Sequence, residues 1–388
     1  MKTLAFDIAA LNPSFKAHSS RGIGRYVREL DSYFRANPPE DFFVKAFSSL
    51  EALNKNSFSE FINLFPFGRT TIRQQCIGPF AFKALGAELL HFPAHIDAPA
   101  WCPCPYVVTV LDLIPIIFED LYKAEKPSWR FHFARWLECE SIKNASMILC
   151  ISENTAKDVQ RILGVADEKL AVTPLGVDQK FFEVKKVLDE TTQRLKLGLP
   201  VEVPIVLYLG GIDQRKNIKG LIEIFKRARG HFIEPDAKRP ILVIAGDVSS
   251  DEQYPKVQAL IKEHNLSESV YFTGYLNDED LLKLFSISSA FCFPSLYEGF
   301  GLPPLEAMAS GIPVISSNSS AMPEVLGDGA VLVNPHNIEE ASDALVKILT
   351  DEYFAASLSE KGRLRARQYS WSTTGQKTVE VYRKLLLR

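Results

Sequence analysis

The sequence predicts an α/β protein made of two doubly wound, Rossmann-like domains, and three observations carry that reading. Short β-branched apolar runs alternate with stretches of helical spacing. The alternation stops around residues 180–202 and then restarts. The 388 residues, 46% of them hydrophobic, suffice for two cores at roughly 150 residues each. Repeated strand and helix imply parallel strands joined by crossover helices. The first series reads TLAFDIAAL, a helix over 23–36, VKAFS, ELLHF, YVVTVLDL, a helix over 129–144, MILCIS, a helix over 153–163 and LAVTPLG. The charged stretch KKVLDETTQRLKLGLPVEVP then has the prolines and composition of a linker, which places the boundary at 180–200 and the domains at 1–185 and 200–369. The second series reads IVLYLGG, a helix over 217–229, ILVIAG, a helix over 254–265, VYFTG, a helix over 278–288, AFCFPS, PVISS and AVLVNP. The tail is a last helix over 370–388, with Val379, Tyr382 and Leu386 on one face. Open α/β sheets bind ligands beyond the carboxyl ends of their strands, so two facing sheets enclose a cleft.

Composition removes several classes of function. A net charge of −3 gives no electrostatic reason to expect a nucleic-acid partner. The N-terminal apolar run is broken by Asp7 and does not read as a signal peptide. The longest apolar stretch, YVVTVLDLIPIIF, has 13 residues interrupted by Asp112 and Pro115, short of the ~20 a spanning helix needs. Cys102 and Cys104 lie too close for zinc-finger spacing, and Cys150 and Cys292 sit in strand-like runs. Reduced thiols in a cytoplasmic protein are the expectation.

The chemistry concentrates in SLYEGFGLPPLEAMAS, residues 295–310. Gly299 and Gly301 let the backbone come close to a ligand. Pro303 and Pro304 suit a first helical turn, whose amides attract phosphate oxygens. Glu306 is expected in that first turn, where the helix dipole favours a carboxylate by roughly 0.3–1 kcal/mol. Two carboxylates, Glu298 and Glu306, thus flank a phosphate-binding turn. In LGGIDQRKNIKGL, Gly210 and Gly211 end a strand, and Arg215 and Lys216 precede a helix. Paired cations there suit a leaving group that accumulates negative charge. In SSRGIGRYVREL, Gly22 and Gly24 form a second glycine turn at a helix start, although without the third glycine of a dinucleotide fingerprint.

These strings, together with ISENTAKDV, TPLGVD, VYFTGYLNDEDLLKLF and PEVLGDGAVLVNP, resemble the retaining glycosyltransferases of family 4, which have the GT-B fold of two facing Rossmann-like domains with a cleft between them. The resemblance implies that Arg215 and Lys216 stabilise the departing diphosphate, that Glu298 contacts the transferred sugar, and that Glu306 holds the ribose hydroxyls. It adds Gly22, Gly24, Gly211, Phe300, Gly301 and Leu302 to the donor-binding set, and passes the helix 370–388 back across the first domain. It implies a hexosyltransferase without metal or other cofactor. A nucleotide sugar, with GDP-mannose the leading choice, supplies the hexose to a saccharide or lipid-linked acceptor by same-face substitution. A UDP-sugar or deoxyhexose donor, a nucleotide-sugar epimerase of the same fold and a two-lobed binding protein without turnover are the alternatives.

One departure concerns the acceptor side. Many relatives carry histidine at the position of Leu111, so Asp112 at the strand end becomes the candidate polar group. His91 also ends a strand and joins the donor-binding candidates. The triplet Asp278, Glu279 and Asp280 reads as the acidic cap of a helix after Asn277 rather than a metal site. On the helix over 129–144, Trp129, Phe133 and Trp136 share a face near Arg130 and Arg135. They are expected to pack into the first domain; the alternative is peripheral membrane contact.

Overall fold

The computed structural model describes residues 1–12, 22–54, 71, 73–118, 129–185, 189–233 and 238–387. The chain divides into two compact units, Met1–Gly176 with Ser370–Arg388, and Val177–Tyr369. The division at Gly176 precedes the 180–200 stretch that composition marked. Contacts decide this: Lys180 pairs with Asp278, Lys196 pairs with Asp280, and Arg363 Nη2 donates to Phe182 O, which binds the segment into the second unit.

In the first unit, β1 (Lys2–Asp7), β2 (Phe42–Phe47), β3 (Leu89–Phe92), β4 (Tyr106–Val110), β5 (Met147–Cys150) and β6 (Leu170–Val172) form a parallel sheet of order β2-β1-β3-β4-β5-β6. β3 and β4 are buried along their whole length, as continuous apolar runs covered on both faces should be. The order reverses between β1 and β3, so the connections leaving those strands diverge at the carboxyl edge. The helix Gly22–Ala36 follows β1. The final helix, Trp371–Leu386, lies in this same unit; Ser370 caps it by accepting from Thr373 N at 3.1 Å. Its Tyr382 is fully buried, and the ring meets those of Phe34, Phe42 and His91.

The helix Trp129–Lys143 corrects one expectation. Trp129, Phe133 and Trp136 are 73%, 46% and 53% exposed instead of packed into the domain. Leu137, Glu138, Ser141 and Ile142 point inward instead. Polar anchors select that face: Ser141 Oγ donates to His95 O at 3.2 Å, and Tyr106 OH donates to Ser141 O at 2.8 Å. Hydrophobicity along the helix does not register such partners. The side chain of Arg130 lies outside the described residues.

In the second unit, β7 (Ile205–Leu209), β8 (Ile241–Ala245), β9 (Val270–Gly274), β10 (Ala290–Phe293), β11 (Val314–Ser317) and β12 (Val331–Val333) form a parallel sheet of order β12-β11-β10-β7-β8-β9. β7 and β10 are neighbours, but the chain continues from them in opposite directions. The crevice at their carboxyl ends is where a Rossmann sheet receives a nucleotide.

Candidate functional site

The site grows from the two loops that leave β7 and β10. After β7, the fully buried Tyr208 donates its hydroxyl to Gly211 O at 2.5 Å and fixes the turn, which leaves Gly211 exposed. A 3₁₀ turn, Gln214–Lys216, follows and ends at Asn217 in the left-handed region, φ 56°. Asparagine tolerates that conformation. Its side chain accepts from Gly220 N at 3.2 Å and donates to Pro294 O and Pro335 O, both at 3.0 Å. One residue therefore caps the next helix and ties together the loops after β7, β10 and β12.

That framework aims two cations at one carboxylate. Lys216 Nζ lies 2.6 Å from Glu298 Oε1, and Arg215 Nη1 lies 3.0 Å from Glu298 Oε2. Lys216 and Glu298 are each 8% exposed. Lys216 Nζ also stands 5.0 Å from the centre of the Phe293 ring, and Arg215 Nε reaches Asp213 at 3.1 Å. The buried Ser295 Oγ lies 2.8 Å from Glu298 Oε1, and Glu298 N donates to Ser320 Oγ at 2.9 Å. Burial pushes the Glu298 carboxyl up, but the charges of Lys216 and Arg215 and the hydrogen bonds from Lys216 and Ser295 outweigh it, so the pKa falls below the usual 4.5.

A lowered folded-state pKa means that the cluster stabilises the fold above the unfolded value and loses that contribution as pH falls through the folded one. The wild type should therefore lose melting temperature as pH falls below the usual carboxyl value of 4.5, and Glu298→Gln should flatten that slope while melting lower at pH 7. Equal slopes in the two proteins would remove Glu298 from the acid response.

The turn after Glu298 is held by sterics. Gly301 has φ 98°, and a Cβ there would stand 2.3 Å from Met322 Cε. The helix Leu302–Ala309 begins at once, with Pro303 and Pro304 in its first turn. Since prolines carry no N–H, the backbone donors of this helix start belong to Phe300, Gly301 and Leu302. The Phe300 ring is buried edge-on against Tyr369, so this residue offers only its backbone to a ligand. Glu306 is 4% exposed and occupies the fifth helical position, in the second turn. The expectation of a first-turn carboxylate is corrected, because the helix starts before the prolines; the dipole's benefit falls off beyond the first turn.

The remaining candidates lie in the first unit. Gly22 and Gly24 form the first turn of the helix Gly22–Ala36, Gly22 exposed and Gly24 buried; residues 19–21 of that motif lie outside the described residues. Asp112 follows β4, half-buried, and its Oδ1 accepts from Ile114 N at 3.1 Å. His91 is corrected. It is fully buried, with Nδ1 2.5 Å from Tyr382 OH and Nε2 2.8 Å from Thr109 Oγ1, so both ring nitrogens are engaged inside the core. Burial pushes its pKa down to about 3. It holds the last helix to the sheet, with neither ring nitrogen left to reach out of the core. In the acidic triplet, Asp278, Glu279 and Asp280 pair with Lys180, Lys283 and Lys196, and Asn277 caps the helix by accepting from Asp280 N at 2.9 Å. Sequence reasoning missed Asn217, Ser295 and Ser320; only the asparagine before a helix carried a local signal.

Two Rossmann-like sheets, one with a Lys–Arg–Glu cluster at its switch point, define the GT-B class of glycosyltransferase. The family model described as Glycosyltransferase Family 4 matches residues 21–181, and that described as Glycosyl transferases group 1 matches residues 189–365. The chain belongs to the family 4 glycosyltransferases. It is 32% identical over 290 residues to the serotype-specific mannosyltransferase WbdA of Escherichia coli, which covers 73% of this chain and 34% of that protein. It is 33% identical over 245 residues to the MMP alpha-(1->4)-mannosyltransferase of Mycolicibacterium hassiacum, 62% of this chain and 54% of that protein. The chain thus spans about a third of WbdA and about half of the mycobacterial relative. The fold is similar to that of sucrose-phosphate synthase from Thermosynechococcus elongatus, with a TM-score of 0.72 and 21% identity over 100% of both chains.

Proposed function

We propose that this chain is a retaining hexosyltransferase that moves mannose from GDP-mannose to a growing saccharide or lipid-linked acceptor at the cytoplasmic face of a membrane, without a metal ion. The observation that carries the reading is the cluster of the buried Lys216 and Glu298 with the partly exposed Arg215. Two fixed cations at the switch point match a diphosphate leaving group whose charge grows as the sugar departs. Glu298 keeps both aligned and offers its carboxylate to a sugar hydroxyl; Glu306 takes the ribose hydroxyls. Attack comes from the face the diphosphate leaves, and the departing phosphate accepts the acceptor's proton, so no protein nucleophile is used. Mannose is favoured by the two relatives named as mannosyltransferases.

The first test is the melting temperature of the protein with GDP, UDP, ADP and dTDP, since ligand binding to the native state raises it by mass action. A selective rise with GDP is expected. A selective rise with UDP replaces the donor, and no rise with any nucleotide overturns the reading. In a transfer assay, chelator should leave turnover intact; a large loss overturns metal independence.

Among the described residues no helix is long and apolar enough to cross a membrane. The exposed Trp129, Phe133 and Trp136 support peripheral contact instead. Adjacent rings lie 6.5 and 5.8 Å apart, an aromatic strip suited to the lipid interface. The protein should float with phosphatidylglycerol-containing vesicles, and Trp136→Ala should reduce the floating fraction; equal flotation of the two proteins would discard the contact.

A further inference from the structure

Two histidines on one short segment have different surroundings. His91 uses both ring nitrogens inside the core, as described. His95, in the turn His95–Asp97 that follows β3, is 8% exposed, and its Nε2 lies 2.7 Å from Glu138 Oε1. An ionised carboxylate only accepts, so Nε2 donates and the neutral ring presents Nδ1 as a lone pair. Among the described residues Nδ1 has no partner.

Glu138 is itself held in place. Arg135 Nη1 makes an ion pair with Glu138 Oε2 at 2.7 Å. The helix that carries both is tied to the His95 segment by Ser141 Oγ, and by Asn144 Nδ2, which donates to Ala100 O at 2.8 Å. A histidine kept for packing alone would satisfy both nitrogens, as His91 does. At His95 one nitrogen is fixed by a buried carboxylate and the other is left for an outside donor. The location fits a ligand, because the loop after β3 leaves the sheet beside the loop after β4, which carries Asp112, at the carboxyl edge.

We propose that His95 binds the saccharide acceptor, with Nδ1 accepting a hydrogen bond from one of its hydroxyls. Glu138 is the positioning residue that sets the tautomer, and Arg135 holds Glu138. This supplies the acceptor-side imidazole that Leu111 does not, and it rests on the glycosyltransferase reading above.

The test uses methyl α-D-mannoside as the acceptor probe, followed by saturation-transfer NMR and by transfer from GDP-mannose. His95→Phe should raise the probe's KM by about tenfold or more with a smaller change in kcat. His95→Asn, whose side-chain oxygen stands near the Nδ1 position, should recover part of that loss. Glu138→Gln should act in the same direction as His95→Phe but more weakly. The GDP-induced rise in melting temperature should persist in all three, since it reports on the second unit. If His95→Phe does not melt cooperatively, the comparison of Glu138→Gln with wild type decides. Unchanged probe KM and saturation transfer in folded variants overturn the proposal, as does absence of saturation transfer to the mannoside in the wild type. Should the wild type fail to use GDP-mannose yet bind the mannoside in a His95-dependent way, the donor assignment falls and His95 stands.

Discussion

Lys216→Ala is expected to lower turnover by roughly 10²–10³-fold, about 2.7–4 kcal/mol of transition-state stabilisation, in a protein that still folds. The Lys216 side chain is buried, and its Nζ lies 2.6 Å from Glu298 and stands over the Phe293 ring, so this cation is oriented before substrate arrives. Preorganisation of that kind acts on charge as it develops, which is why the loss should appear in kcat more than in donor affinity. The fold should survive because Glu298 keeps its ion pair with Arg215 at 3.0 Å and its hydrogen bond from Ser295 at 2.8 Å. Steady-state kinetics beside a melting curve decide the matter. Wild-type turnover in a folded variant would take Lys216 out of the chemistry, and loss of cooperative melting would make its role structural.

Gly176→Ala should destabilise the first unit by about 3 kcal/mol, the upper range for forcing atoms into a packed site. A Cβ on Gly176 would stand 2.1 Å from Trp371 N, 2.5 Å from Ser370 C and 2.8 Å from Trp371 Cα. All three are backbone atoms and cannot rotate away. This is where the last helix begins its return to the first unit, and Thr374 Oγ1 donates to Pro174 O at 2.6 Å beside it. Relief of the clash must shift the start of the helix Trp371–Leu386, which should then become a target for limited proteolysis. Urea unfolding followed by tryptophan fluorescence measures the cost, and a wild-type midpoint with wild-type protease resistance would show that the packing relaxes freely.

Both six-stranded sheets were legible in the sequence because strands covered on both faces must be apolar throughout, and that leaves a local record in runs such as ELLHF and ILVIAG. Helix starts were legible for a similar reason. Ser152, Asn277 and Ser370 each accept from the amide three residues ahead, so signal and partner sit side by side; the helices Ile338–Thr350 and Glu352–Ala366 were not read from the sequence. Arg215, Lys216, Glu298 and Glu306 were legible as motif residues, although the dipole argument for Glu306 depended on a helix boundary that lies several residues earlier. Asn217 and Ser295 were not, since deciding partners come from other loops: Pro294 and Pro335 for the first, Arg215 O for the second.

The sequence by itself determined the order of the strands, the helix starts after Ser152, Asn277 and Ser370, and the chemical groups gathered near the carboxyl ends of β7 and β10, because each follows from short-range pattern and composition. Only the tertiary structure decided which side of the helix Trp129–Lys143 turns inward, and which of two neighbouring histidines is consumed by the core. It also decided why position 176 is glycine. In each case the deciding partner is remote along the chain: Glu138 for His95, Tyr382 for His91 and Trp371 for Gly176. Local pattern records how much of a side chain must be buried, but not which distant atom it will meet.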